Sequence, residues 1–101
     1  MPEKLEILWT GPALADLREI RDRIEAEGRP MAGKKLAKRI RAGVLQLETF
    51  PESGREVPEF PGAGYRELIV SSYRIIYELA GDRAFVLRVW HGRRDLTRLE
   101  R

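Results

Sequence analysis

A chain of 101 residues has room for one domain, spanning 1–101, and one modest core. Its 43% apolar and 35% charged composition reads as globular. The lack of cysteine excludes disulfides and thiolate metal sites, and no apolar run exceeds four residues, which argues against a membrane-spanning helix and a secretory leader. The net charge of +3 is unevenly spread: residues 29–47 carry six bases and no acid, residues 83–101 carry six arginines against Asp95 and Glu100, and the stretches between are acidic, a pattern pointing to a charged partner.

Leu5, Ile7 and Trp9 alternate with Glu6, Leu8 and Thr10, the period of a short strand. Thr10-Gly11-Pro12 opens a helix, with a hydroxyl or glycine as cap and a proline where its missing N–H costs nothing. Leu14, Leu17, Ile20 and Ile24 recur along it at three- and four-residue spacing, and charged residues occupy the other positions. Gly28 and Pro30 end this helix and begin a second over Pro30–Phe50, striped by Leu36, Ile40, Val44 and Leu47 and stopped by Pro51. A short Gly/Pro turn between the two predicts an antiparallel helical hairpin.

Residues 51–64 hold three prolines and three glycines, a connection of the length that is often functional. Beyond them the period becomes two. Tyr65–Val70, Tyr73–Ala80 and Ala84–His91 read as strands joined tightly at Ser71-Ser72 and Gly81-Asp82, an antiparallel meander. Unbroken alternation puts Ile75, Tyr77, Leu79, Phe85, Leu87 and Val89 on the face under the helices. Arg74, Ile76, Glu78, Val86, Arg88 and Trp90 fall on the other face, which is expected to be an open, cationic binding face.

Several motifs lead nowhere. Gly28 to Lys35 matches G-x-x-x-x-G-K, but Lys35 stands where a magnesium-binding hydroxyl is needed and no strand precedes it. His91 is the sole histidine and lacks flanking carboxylates at ligand spacing, so no metal site is expected, and no G-x-S-x-G supports a serine triad. Lys34, Lys35, Lys38 and Arg41 on the second helix suit nucleic acid or an acidic protein. The structural alternative is charge balance against the acidic first helix. With no aromatics interleaved, base stacking lacks support.

The segments Trp9–Leu17, Phe50-Pro51-Glu52-Ser53-Gly54-Arg55, Gly64-Tyr65-Arg66-Glu67-Leu68, Tyr73-Arg74-Ile75-Ile76-Tyr77 and Val89-Trp90-His91-Gly92-Arg93-Arg94-Asp95 occur in that order. Together they resemble the ParE-type, plasmid-stabilisation toxins of the RelE/ParE superfamily, over essentially the whole chain. The resemblance implies an α+β fold of order β-α-α-β-β-β, its helical hairpin packed on one face of a four-stranded, mainly antiparallel twisted sheet. It also implies a cytoplasmic toxin without cofactor, held inactive by a cognate antitoxin, with DNA contacted only through the antitoxin complex.

ParE-like members of the family are associated with inhibition of DNA gyrase and growth arrest, whereas RelE-like members cut messenger RNA within the ribosome. For the first activity the candidate target contacts are Arg66, Trp90, His91, Arg93 and Arg94. For the second, His91 is a candidate acid or base, with Arg74 and Arg88 stabilising the phosphate. Ribonuclease members carry a catalytic aromatic beside the histidine, where this chain has Gly92. Candidate antitoxin contacts are the first helix's stripe, Leu17, Ile20 and Ile24, and the open face at Arg74 and Arg88. A third reading is a non-toxic antitoxin-binding or general interaction domain. The purely structural alternatives make His91 a strand-end cap, Trp9 core, and Arg66 the partner of a carboxylate across the sheet.

Overall fold

The computed structural model describes residues 4–92. Arg93 and Arg94 lie outside them. The chain runs β1 (Glu6–Trp9), α1 (Gly11–Ala26), α2 (Pro30–Leu45), a 3-10 turn (Gln46–Glu48), β2 (Arg55–Glu56), β3 (Tyr65–Val70), β4 (Tyr73–Ala80) and β5 (Arg83–His91). Thr10 caps α1 by accepting from the Ala13 N–H at 3.3 Å, and the same hydroxyl donates to the Val86 carbonyl at 2.8 Å. One side chain thus starts the helix and ties it to β5. Gly28, at φ 84, supplies the left-handed turn after α1, and Pro30 opens α2. Gly33 lets the helices touch: a Cβ there would lie 2.9 Å from the Arg21 carbonyl oxygen. Both glycines of the nucleotide-like motif therefore serve the hairpin.

The sheet order is β1-β5-β4-β3-β2. The β3-β4-β5 meander is antiparallel as expected, and β1 adds to its far edge parallel to β5. The fifth strand is a correction. Arg55 and Glu56, expected in a loop, pair antiparallel with Glu67 and Arg66 of β3.

The first core lies between hairpin and sheet. Leu17 and Ile20 of α1 and Ile40 and Val44 of α2 are buried there against Ile75, Tyr77, Ala84, Val86 and Val89. Leu17 and Ile20 are only 3% and 6% exposed, so the α1 stripe faces the chain's own sheet and is not an open surface. Ile24 is partly buried against the same core.

Strand β5 departs from simple alternation. Tyr77 pairs with Val86 but Ile76 pairs with Arg88, so Leu87 is an extra, bulged residue. Before the bulge Ala84 and Val86 face the helices; after it Val89 does. Leu87, expected under the helices, instead packs on the opposite face, and Val86 goes the other way.

The expectation of a bare second face is overturned. Val57, Ile76 and Trp90 form a second small core there, flanked by Phe60, Tyr65 and Leu87. Trp90 is 5% exposed and Arg74 7%. A sheet face bearing isoleucine and tryptophan must be covered by something, and the 51–64 segment covers it. That segment is pinned at its start. The Tyr77 hydroxyl donates to the Pro51 carbonyl at 2.8 Å and accepts from the Gly54 N–H at 2.9 Å.

Candidate functional site

Register brings the start of β4 against the end of β5. Tyr73 pairs with His91 and Arg74 with Trp90. Since neighbouring strand residues point to opposite faces, Tyr73 and His91 lie on the helix side, and Arg74 and Trp90 lie under the 51–64 segment.

Arg74 is saturated by carboxylates. Its Nε donates to Glu67 Oε1 at 2.7 Å, while Nη1 and Nη2 hold both Glu59 oxygens at 2.9 Å. The Glu67 side chain is wholly buried, and its second oxygen accepts from Arg55 Nε at 2.6 Å. Two arginines and two glutamates thus cancel in charge. Hydrogen bonding to Glu59 raises the Arg74 pKa still further, and the Arg74 guanidinium holds the Glu59 carboxyl below its ordinary value.

Arg88 is engaged by the first helix. Its Nε and Nη2 each donate at 2.8 Å to one oxygen of Asp16 on α1, and Asp16 also accepts from the Val89 N–H at 2.9 Å. The guanidinium lies 4.6 Å from the centre of the Trp90 ring. The bidentate bond to Asp16 raises the Arg88 pKa.

Arg66 bonds carbonyls and not the expected carboxylate: Nη1 donates to Gly54 O at 2.7 Å and Glu52 O at 3.3 Å. It therefore helps pin the covering segment. His91 is exposed, edge-on to the Tyr73 ring at 5.5 Å. The Tyr73 hydroxyl accepts from Arg23 Nη2 at 3.0 Å. Asp16, Glu19, Arg23 and His91 rim a small recess of about 100 Å³ at this end of the sheet.

The fold thus separates residues that the sequence had grouped. Arg74 and His91 are on opposite faces, and Arg74 and Arg88 already hold carboxylates. Charge balance between the helices is not realised either: among the described residues Lys34, Lys35, Lys38 and Arg41 form no ion pair. Sequence reasoning missed Asp16, Glu59 and Glu67. Glu67 alone carried a signal, since it sits between Tyr65 and Ile69 on one strand parity.

Residues 7–96 match the family described as the ParE toxin of the type II toxin–antitoxin system parDE. Among curated relatives, the chain is 36% identical to Toxin RelE2 of Caulobacter vibrioides over 90 residues, covering 88% of this chain and 97% of that one. It is 32% identical to Toxin ParE3 of the same organism over 92 residues, covering 90% of each. In fold it resembles a chain of the chromosomal ParDE system of P. aeruginosa, with TM-score 0.75, 23% identity and coverage of 87% of this chain and 96% of that one. It also resembles a chain of the RelBE2 toxin–antitoxin complex of Mycobacterium tuberculosis, with TM-score 0.60, 21% identity and coverage of 87% and 98%. Both solved structures share the helical hairpin on a sheet, and the chain belongs to the ParE toxin family of type II toxin–antitoxin systems.

Proposed function

We propose that this toxin acts by binding, with DNA gyrase as its target, and that a cognate antitoxin neutralises it in the cytoplasm. One observation carries the binding reading: the arginines a nuclease would need at a phosphate, Arg74 and Arg88, are each held bidentately by a carboxylate of the chain itself. Releasing either would leave a carboxylate of the chain without its counter-charge. The antitoxin partner is supported by the two fold neighbours, which are described as a ParDE toxin–antitoxin system and a RelBE2 complex. The target contacts proposed are exposed His91 and, after it, Arg93 and Arg94. Trp90 and Arg66 support this end of the molecule from within, through packing and through the pinned 51–64 segment.

Purified toxin added to gyrase and relaxed plasmid is expected to suppress supercoiling. Unchanged supercoiling at large toxin excess overturns the gyrase reading. Among the described residues, exposed His91 is the feature that favours a ribosome-dependent endonuclease. Primer extension on translated messages, with wild type and His91→Ala, is expected to show no cleavage by either; cleavage that His91→Ala abolishes establishes the nuclease instead.

A further inference from the structure

Arg74 takes its two carboxylates from different parts of the fold. Glu67 belongs to the sheet: it sits on β3, wholly buried, and accepts from Nε at 2.7 Å. Glu59 is brought by the covering segment and takes the terminal fork, Nη1 and Nη2, at 2.9 Å each. Next to it Phe60 packs on the cluster of Val57, Ile76 and Trp90 and meets the Tyr65 ring edge-on at 6.1 Å. The sheet by itself therefore offers a guanidinium fork with an apolar patch beside it, and the chain fills both with the dipeptide Glu59-Phe60.

Little holds that dipeptide down. Among the described residues, the other hydrogen bonds of 58–64 stay within 56–63: the Phe60 N–H donates to Val57 O at 3.1 Å, the Ala63 N–H to Phe60 O at 3.1 Å, and the Gly62 N–H to Glu56 Oε2 at 2.7 Å. The ties to the sheet come earlier, at Pro51, at Gly54, along β2, and at the Val57 N–H, which donates to Tyr65 O at 3.0 Å. Gly62 and Gly64, at φ 79 and 89, make the turns that return the chain to β3. The Glu59 side chain is 35% exposed against 8% for that of Arg74, so water reaches the pair from the Glu59 side. An ion pair of that exposure parts at small cost, and a loop tied by it opens locally while the sheet stays folded.

We propose that Glu59-Phe60 is a built-in plug in a binding site for an acidic–aromatic segment of a partner protein, a carboxylate residue followed by an aromatic one. The chain's own plug states the chemistry of the ligand. With Glu59 turned to water, Arg55 and Arg74 face Glu67 alone and one positive charge remains, which a single carboxylate cancels. The planar fork matches the two oxygens of a carboxylate, and the patch beside it takes a ring edge-on as Tyr65 takes Phe60. Glu67 keeps its bond to Nε throughout, so exchange strands neither buried charge.

Two measurements on the whole chain test this. In native-state hydrogen exchange at low urea, the amides of Phe60, Gly62 and Ala63 are expected to exchange at rates that urea does not change, the mark of local opening, while those of Ile75 and Val86 accelerate with urea. Flap amides that follow the urea dependence of the core overturn the plug, because the site then opens only by unfolding. In the second, a capped peptide Val-Pro-Glu-Phe-Pro-Gly is titrated into wild type and into Glu59→Gln with Phe60→Ala, followed by the Arg74 Nε–H and Trp90 indole resonances. The double variant should bind roughly tenfold more tightly than wild type, whose plug competes, and the same peptide with glutamine for glutamate should bind roughly tenfold more weakly. Glu59→Gln alone carries the same comparison if the double variant does not fold. Equal binding by wild type and variant, or none by the variant, overturns the site. Inorganic phosphate that shifts both resonances as far as the peptide does makes it a general oxyanion site and removes the peptide occupant. A wild-type dimer that the double variant abolishes assigns it to the flap of a second copy instead.

Discussion

Replacing Arg74 by methionine tests whether this arginine is a structural tie or a free catalytic cation. The substitution keeps the length of the side chain and removes its hydrogen bonds to Glu59 and Glu67. The two carboxylates then fare differently. Glu59, with a side chain 35% exposed, can turn to water. Glu67, with none of its side chain exposed, cannot, and keeps only Arg55, which is itself 64% exposed. Leaving a buried charge short of its partner costs about 3–5 kcal/mol, a large share of the roughly 5–15 kcal/mol that stabilises a domain of this size. At about 4–8 °C per kcal/mol the melting temperature should fall by on the order of 20 °C.

Urea denaturation with linear extrapolation measures the loss, and two companions locate it. Glu59→Gln, which leaves Arg74 its bond to Glu67, should cost less, about 1–2 kcal/mol. Adding Glu67→Leu to Arg74→Met should recover part of the loss, since it removes the stranded carboxylate. An Arg74→Met protein within about 0.5 kcal/mol of wild type, the range of an ordinary surface change, refutes the structural role and reopens a catalytic one.

Further outcomes follow from the same geometry. Because Arg74 depresses the Glu59 pKa, the stability this pair contributes is present above the ordinary carboxylate value of 4.5 and is lost as pH falls through the lower folded value. The urea midpoint of wild type should therefore drop more than that of Glu59→Gln below that pH, and parallel curves would count against the pair. Gly54→Ala drives a Cβ to 2.5 Å from the Tyr77 hydroxyl and 2.7 Å from the Glu67 carbonyl, and the latter is backbone that cannot step aside. A loss of about 1–3 kcal/mol is expected in chemical denaturation; a neutral result means that the 51–64 segment is not pinned as described. Asp16→Asn weakens the bidentate hold on Arg88 and should cost about 1–2 kcal/mol. A double-mutant cycle with Arg88→Met should return a coupling of similar size, and additivity would show the contact to be incidental.

Much of the architecture was legible in the residues. Period, caps and turn residues marked both helices, the meander and the order of elements, and the ordered motifs pointed to the toxin superfamily. The candidate site was far less legible. Arg74, Arg88 and Trp90 were correctly put on one strand parity, but what covers or neutralises them comes from elsewhere in the chain. Arg88 and Asp16 are 72 residues apart, and Arg74 and Glu59 are 15 apart across a loop with no periodicity.

The sequence by itself determined the local facts: where the backbone turns, where helices start, and which residues of an unbroken strand share a face. Such facts depend on neighbours within one or two turns of chain. Only the tertiary structure decided the rest. It inserted Leu87 as a bulge that exchanges the expected faces of Val86 and Leu87, laid β1 parallel against β5, and folded residues 51–64 over Ile76 and Trp90. The physical reason is that burial and charge pairing are satisfied by whichever residue arrives in space. An arginine's freedom to act on a partner is therefore set by distant carboxylates that the pattern around it does not record.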